Sequence, residues 1–247
     1  MSRNPSTRMK AVILAAGTAS RLRPLTEHMP KCLLPVGGKT ILSRTIDNLL
    51  ANDITDLVIV TGYLQDMIRN FVTENYPQVN VVFIENKDYA TTNNIYSLFL
   101  TEEHVNGKDF LLLDSDILFS KDIITALLND GNPDTLAMNR HELGEEEIKI
   151  IADNDRNVLE ISKVCSIENA IGESVGIEKF SSRYSLALFK ELHKMIDKEN
   201  LNNVFYEKAF ERLIPQGYIF KYLDTTLFFS MEIDTVEDYE KIKNLNL

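Results

Sequence analysis

Three basic side chains, Arg21, Arg23 and Lys31, are gathered in residues 14–36, LAAGTASRLRPLTEHMPKCLLPV, of a chain that is otherwise acidic, with a formal net charge of −11. Arginine presents a planar fork to phosphate oxygens and lysine a compact positive charge, so the group is suited to neutralising a triphosphate. Any one of them taken alone is equally well read as a solvated surface residue. The small residues before them, Ala15, Ala16, Gly17, Thr18, Ala19 and Ser20, let backbone N–H groups come close to a base or a phosphate. Pro24, Pro30 and Pro35 favour a rigid loop, which a phosphate cradle needs. Acids lie further along. Asp114 and Asp116 follow the apolar run FLLL, where carboxylates are costly to desolvate unless paired or bound to a cation. Either could hold Mg2+, whose usual ligands are one or two carboxylates with phosphates and water, and either could instead begin a turn or cap a helix. Glu232 and Asp234 in MEIDTVEDYEKI repeat the pattern. There DTVED also reads as a helix start with acids in its first turn, so Asp234 is open as structural, metal-binding or both.

A basic loop facing two acidic strand ends suits nucleotidyl transfer, in which Mg2+ and basic groups offset charge on the α-phosphate and on departing pyrophosphate. An acceptor that is already an anionic phosphate needs no strong general base, in keeping with a chain that shows no Ser/His/Asp or Cys/His arrangement. His28, His104, His141 and His193 stand in polar contexts and read as surface residues, while Cys32 and Cys165 have apolar neighbours and read as buried thiols. Two nucleotide motifs fail. GGKT at 37–40 lacks the P-loop glycine five positions before Gly38, where Leu33 stands, and Ala19 and Leu22 replace the later glycines of G-x-G-x-x-G.

These loops must hang on a scaffold. AVIL (11–14), LVIV (57–60), VVFI (81–84) and FLLL (110–113) read as fully buried strands. Between and after them Leu42, Ile46, Leu49 and Leu50, then Met67, Ile68 and Phe71, then Ile95, Leu98 and Phe99 recur at helical spacing, the last set capped by Asn93 or Asn94. Strands alternating with helices imply βαβ units and a mostly parallel sheet. After about residue 132 the pattern changes: DTLAMNR, IKIIAD, VLEISKV and SVGIEKF read as strands of a mixed extension. Helices are expected at about 183–197, about 203–214 and after Asp234, with strands in YIFKYL and FFSMEI between the last two. In an open parallel sheet ligands bind beyond the carboxyl ends of the strands, which selects the loops after Leu14, Val60, Ile84 and Leu113. One domain over residues 9–247 is the simplest organisation, with a nucleotide-binding half at about 9–132 and an acceptor-binding half at about 133–247 carrying Asp234. Residues 1–8 read as a disordered tail or an expression remnant.

Composition bounds the class. With 247 residues, 44% hydrophobic and 26% charged, the chain is an ordinary globular protein. Its acidity argues against nucleic-acid binding, which needs a broad basic face, and no apolar run approaches the roughly 20 residues of a membrane span. Two cysteines cannot make a disulfide framework, which points to the cytoplasm.

The segments LAAGTASRLRPLT…MPKCLLPVGGKTIL, LLLDSDILF and MEIDTVEDYEKI resemble, in order and spacing, the signature and the two metal-binding segments of the sugar-phosphate nucleotidyltransferases. The resemblance spans roughly residues 9–247 and implies an α/β, Rossmann-like nucleotidyltransferase fold, a nucleoside triphosphate and Mg2+ as reactants, and attack of a phosphorylated acceptor on the α-phosphate. It implies catalytic contacts to the phosphates for Arg21 and Lys31 and metal binding for Asp116 and Asp234; Arg23, which it does not match, is expected to point elsewhere. It further implies nucleotide contacts from Leu14, Ala15, Ala16, Gly17, Thr18 and Ala19, the last standing where glycine is more frequent. Within the family, NKDYATTNNIYSLFL (86–100), ESVGIEKFS (173–181) and NVFYEKAFERL (203–213) are similar to the cytidylyltransferases of phosphocholine and 2-aminoethylphosphonate. That subgroup implies CTP and a small amine-bearing phosphate or phosphonate. An ammonium group wants carboxylates and aromatic faces, which Asn94, Tyr96, Glu173, Tyr206 and Glu207 could line together with Tyr89, while Lys163 matches a lysine that meets the acceptor phosphate. Tyr206 also shares a helical stripe with Phe210 and Leu213, which reads as core. With no tryptophan in the chain, a primary amine is as credible an acceptor as choline. The alternatives are a sugar-1-phosphate nucleotidyltransferase using UTP, dTTP or GTP, and a non-catalytic regulatory subunit; a homodimer is left open.

Overall fold

Apolar runs bounded by polar turns form the strands, and 3.6-residue apolar stripes form the helices between them. The computed structural model describes residues 9–245, so the tail expected at 1–8 lies outside the described residues. The strands are β1 (Lys10–Ala15), β2 (Pro35–Val36), β3 (Lys39–Thr40), β4 (Asp56–Thr61), β5 (Asn80–Glu85), β6 (Phe110–Asp114), β7 (Ile117–Phe119), β8 (Thr135–Asn139), β9 (Lys149–Ala152), β10 (Val158–Ser162), β11 (Gly172–Phe180), β12 (Lys221–Asp224) and β13 (Ser230–Glu232). The helices are α1 (Ile41–Leu50), α2 (Gln65–Asn75), α3 (Asn94–Phe99), α4 (Glu102–Val105), α5 (Lys121–Asn129), α6 (Ser182–His193), α7 (Glu207–Leu213) and α8 (Val236–Ile242). Hydroxyls of Thr40, Ser120, Ser181 and Thr235 accept from first-turn N–H groups of α1, α5, α6 and α8, satisfying donors that a helix start leaves free.

The main sheet runs β10-β9-β11-β6-β1-β4-β5, with β8 on β11 and β12 on β8. Strands β6, β1, β4 and β5 are parallel, while β11 is antiparallel to β6, β8 and β9. This is the mixed, mostly parallel architecture that the alternation of elements implies. The chain leaves β1 toward β4 and β5, then returns to the other side of β1 with β6. The strand order reverses there, and a crevice opens at the carboxyl ends of β1 and β6.

Alternate residues of the parallel strands feed two cores. Val12, Leu14, Val60 and Leu112 pack against Ile95, Leu188 and Phe210 of α3, α6 and α7. Ala11, Ile13, Ile59 and Leu113 pack against Ile46, Ile68 and Ile123 of α1, α2 and α5. A third cluster positions the site: Leu22, Leu34, Val36 and Ile41 from the basic loop and α1 pack on Leu118, Ile233, Tyr239 and Ile242.

Three expectations are corrected. VVFI is half-buried, because β5 is the edge strand and has a neighbour on one side only. The helix expected from 203 begins at Glu207; the residues before it are tied to α3 instead, where Asn93 N donates to Asn202 O and Tyr206 N donates to the Asn94 side-chain oxygen. YIFKYL enters the sheet only from Lys221.

Candidate active site

The basic loop and the two acidic segments converge, although Lys31 and Asp234 are 203 positions apart. Strand β7 pairs antiparallel with β13, setting Ile117 opposite Glu232, and Ile233 N donates to Asp116 O at 3.1 Å. This ribbon brings the turn after β6 against the segment leading into α8. The loop supplies the opposite charges. Lys31, at the start of a 3-10 turn (Lys31–Leu33), donates from Nζ to Asp116 Oδ2 and to Asp234 Oδ1, each at 2.9 Å. Arg21 Nη2 donates to Asp234 Oδ2 at 2.7 Å. Tyr63, at the carboxyl end of β4, holds the loop from outside through its hydroxyl, which donates to Glu27 O at 2.8 Å.

The small residues also have physical reasons. Ala16 O accepts from Tyr63 N at 3.1 Å, and a Cβ on Gly62 would stand 2.8 Å from that oxygen, so only glycine permits this approach. Ala19 lies in the left-handed region at φ 47°. Glycine would adopt this conformation without strain, whereas alanine loses about 1 kcal/mol there. Its carbonyl, which accepts from Thr26 Oγ1 and Leu22 N, holds it in place.

Carboxylate oxygens of Asp116, Glu232 and Asp234 all lie within 4.8 Å of one another. Desolvation alone would raise the Asp234 pKa, but the charge and hydrogen bond of Lys31 and the charge of Arg21 hold it below the usual range. Desolvation, then the charges of Asp116 and Asp234, push Glu232 up to about 8. Burial alone would lower the Lys31 pKa; its two aspartates outweigh that and raise it. Thus the Lys31 ammonium sits between two of the three acids as an internal counter-cation, while Glu232, which has no basic partner of its own among the described residues, is pushed toward its protonated form. Three converging hard oxygen donors, one of which would ionise beside a further positive charge, fit a divalent cation.

A cavity of about 370 Å³ runs from this cluster along the ends of β1 and β6 toward β11 and α7. Leu14, Ala15, Ala16, Gly17, Ala19, Arg21, Lys31, Asn94, Asp116, Lys163, Glu173, Glu207 and Asp234 line it, as do Asp114 and Glu232. Thr18, Arg23, Tyr96 and Tyr206 are not among its lining residues. Tyr96 stacks on Phe99 with ring centroids 6.1 Å apart. Tyr206 is fully buried beneath the cavity, its hydroxyl donating to Asp114 Oδ2 at 3.0 Å, so the helical stripe it shares with Phe210 decides its place. The histidines are at least partly exposed and both thiols are buried and free, as their contexts imply.

Sequence reasoning missed Glu178, which is fully buried on β11. It accepts from Ser174 Oγ at 3.4 Å and lies 3.5 Å from the Tyr206 hydroxyl. Its signal was a charge interrupting SVGIEKF. Burial, then the charge of Glu207, raises Glu178 well above the carboxylate range, and burial raises Glu207 to about 7. These acids bind protons in the folded state that the unfolded chain releases from about pH 4.5 upward. The hydrogen bond to Glu173 raises His141 and that to Asp197 raises His193, each against burial, and their contribution is likewise lost as pH rises through the folded pKa. Stability therefore falls with increasing pH in this window. In EDTA and without nucleotide, the melting temperature should drop by roughly 5 °C between pH 5.5 and 8; a melting temperature that rises over this range contradicts the assignment.

Comparison with known proteins places the fold. Residues 10–135 match the family described as Nucleotidyl transferase. The choline-phosphate cytidylyltransferase of Streptococcus pneumoniae is 28% identical over 243 residues, covering 96% of this chain and 98% of that protein. The bifunctional protein GlmU of Methanococcus aeolicus is 29% identical over 79% of this chain, which spans only 49% of that protein. Among solved structures, the CTP:phosphocholine cytidylyltransferase from Streptococcus pneumoniae superposes with a TM-score of 0.80 at 25% identity, covering 95% of this chain and 97% of that one.

Proposed function

This chain belongs to the nucleotidyl transferase family, and on that premise we propose that it transfers CMP from CTP to a small amine-bearing phosphate or phosphonate, releasing pyrophosphate. The observation that carries this reading is end-to-end similarity, in sequence and in fold, to a cytidylyltransferase of matching length. The site supports it: Arg21 and Lys31 stand beside the three converging acids, and toward β11 and α7 the same cavity is lined by Glu173 and Glu207.

In this reading Leu14 to Ala19 present backbone and small side chains to the nucleotide, and Arg21 and Lys31 bind its triphosphate. Asp116 and Asp234, with Glu232 beside them, would hold Mg2+, which when bound offsets charge on the α-phosphate and on pyrophosphate. Lys163 meets the acceptor phosphate. An acceptor oxygen forms a bond to the α-phosphorus, the bond from that phosphorus to the bridging oxygen breaks, and the bonding pair leaves with pyrophosphate. No proton need be removed from an anionic acceptor, so positioning and charge do the catalysis. Among the described residues no helix is long and apolar enough to cross a membrane, and the free thiols suit the cytoplasm as its place of work.

Pyrophosphate release should be measured with CTP, UTP, dTTP and GTP, each against amine phosphates, an aminophosphonate and hexose 1-phosphates. Turnover is expected with CTP and an amine-bearing acceptor. Turnover with UTP or dTTP and a hexose 1-phosphate, and none with CTP, would overturn the proposal; silence with every pair would favour a regulatory subunit.

A further inference from the structure

The acidic end of the cavity holds a carboxyl group with an unmet requirement. Glu207, the first residue of α7, is 4% exposed and lines the cavity, yet its Oε2 has no hydrogen-bond partner among the described residues. A buried acceptor left unpaired is costly. The neighbouring acids do not relieve it. Asp114 and Glu178 take their side-chain hydrogen bonds from the hydroxyls of Tyr206 and Ser174, which bring no positive charge. Lys163 is the basic group whose charge reaches Glu207, but its Nζ is engaged by Glu146 Oε2 at 3.2 Å and lies 4.9 Å from the centroid of the Phe205 ring.

The same contacts argue about the shape of the missing partner. A quaternary ammonium has no N–H to donate and is held by open aromatic faces. Tyr89 and Phe205 are the aromatic residues lining the cavity. The Phe205 face already carries Lys163, and Tyr89 packs against Tyr63 with centroids 6.3 Å apart. The site therefore offers a donor-hungry carboxylate and no free aromatic cage. We infer that the acceptor's head group is a primary ammonium that donates an N–H to Glu207 Oε2, and that the enzyme selects it over a trimethylammonium group. This deepens the cytidylyltransferase reading and rests on it.

The test is a methylation series with the intact protein: phosphoethanolamine, its N-methyl and N,N-dimethyl derivatives, and phosphocholine, at saturating CTP. With wild type, kcat/KM is expected to fall about 10- to 100-fold from the primary amine to phosphocholine, mainly through KM, since a site built around an N–H donor rejects the analogue that lacks it. In Glu207→Met, which keeps the bulk and removes the acceptor, the ratio between the two ends of the series should collapse toward unity. Wild type that uses phosphocholine as well as or better than phosphoethanolamine overturns the inference and leaves cytidylyl transfer standing; so does a Glu207→Met variant with the wild-type ratio. If no member of the series is used with CTP while a hexose 1-phosphate is used with UTP or dTTP, the cytidylyltransferase reading fails and the inference with it. The wild-type series decides the matter even if the variant does not fold.

Discussion

Asp116→Asn is expected to lower turnover by about 10³-fold while the protein stays folded. The side chain is half-buried at the mouth of the cavity, and its backbone oxygen, not its carboxylate, receives the Ile233 N–H that closes the β7–β13 ribbon. Asparagine keeps the shape and the ribbon but removes one of three converging carboxylates. The cluster then binds a divalent cation less tightly, so the Mg2+ concentration needed for half-maximal rate should rise as the maximal rate falls. Glu232 should ionise at lower pH, because the Asp116 charge is one of the causes that raise it. Rates of pyrophosphate release across a Mg2+ titration, together with the melting temperature, check this. Wild-type turnover with wild-type Mg2+ dependence would refute the metal assignment of Asp116.

Lys31→Met should damage both turnover and stability, and the two effects should respond differently to Mg2+. Its ammonium is the charge shared by Asp116 and Asp234, and the side chain is 12% exposed. Methionine preserves the stem and removes the charge, leaving Asp116 without its basic partner and Asp234 with Arg21 alone among the contacts described. The acids are partly solvated, so the loss is well below that of a fully buried pair, about 1–2 kcal/mol or several degrees of melting temperature in EDTA. Added Mg2+ should return most of that stability, and should stabilise the variant more than wild type, in which the ammonium competes for the same oxygens. Turnover should stay depressed by about 10²-fold in saturating Mg2+, because the ion replaces the counter-charge on the acids but not the contact to the phosphates proposed for this lysine. A variant that melts like wild type in EDTA and gains nothing from Mg2+ would rule out the counter-charge role.

Much of the scaffold was legible because its determinants are local. AVIL, LVIV and FLLL are apolar runs of strand length, the stripes of α1 and α3 repeat at helical spacing, and the helix start expected after Asp234 is present, closed by a capping box of Thr235 and Asp238. The rule that ligands gather at carboxyl strand ends selects the loops after Leu14, Val60, Ile84 and Leu113, and the first, third and last of these line the cavity. Errors fell where a neighbour in space overrode local preference. VVFI has the composition of a central strand, but strand composition does not say which strand lies at the edge. Helical spacing extended α7 back to 203, but the Asn94 side chain captures the Tyr206 N–H and the chain turns into the helix only afterwards. Tyr96 and Tyr206 were drawn toward the acceptor by residue type; packing places one on Phe99 and the other under the cavity floor.

Local patterns in the chain set the inventory: a rigid basic loop after a buried strand, acids at two strand ends, and elements that wind into a parallel sheet with a mixed extension. These follow from hydrophobic period and turn chemistry, which act over a few residues. The tertiary structure alone decided which of those groups meet. Pairing of β7 with β13 and packing of Leu22 and Leu34 on Leu118 and Ile233 put Lys31 between two aspartates and left Arg23 outside the cavity lining. Burial decided that Glu178 lies under the floor and that Glu207 faces the cavity without a partner. Charge balance and desolvation depend on distances across the whole chain, and sequence spacing does not contain them.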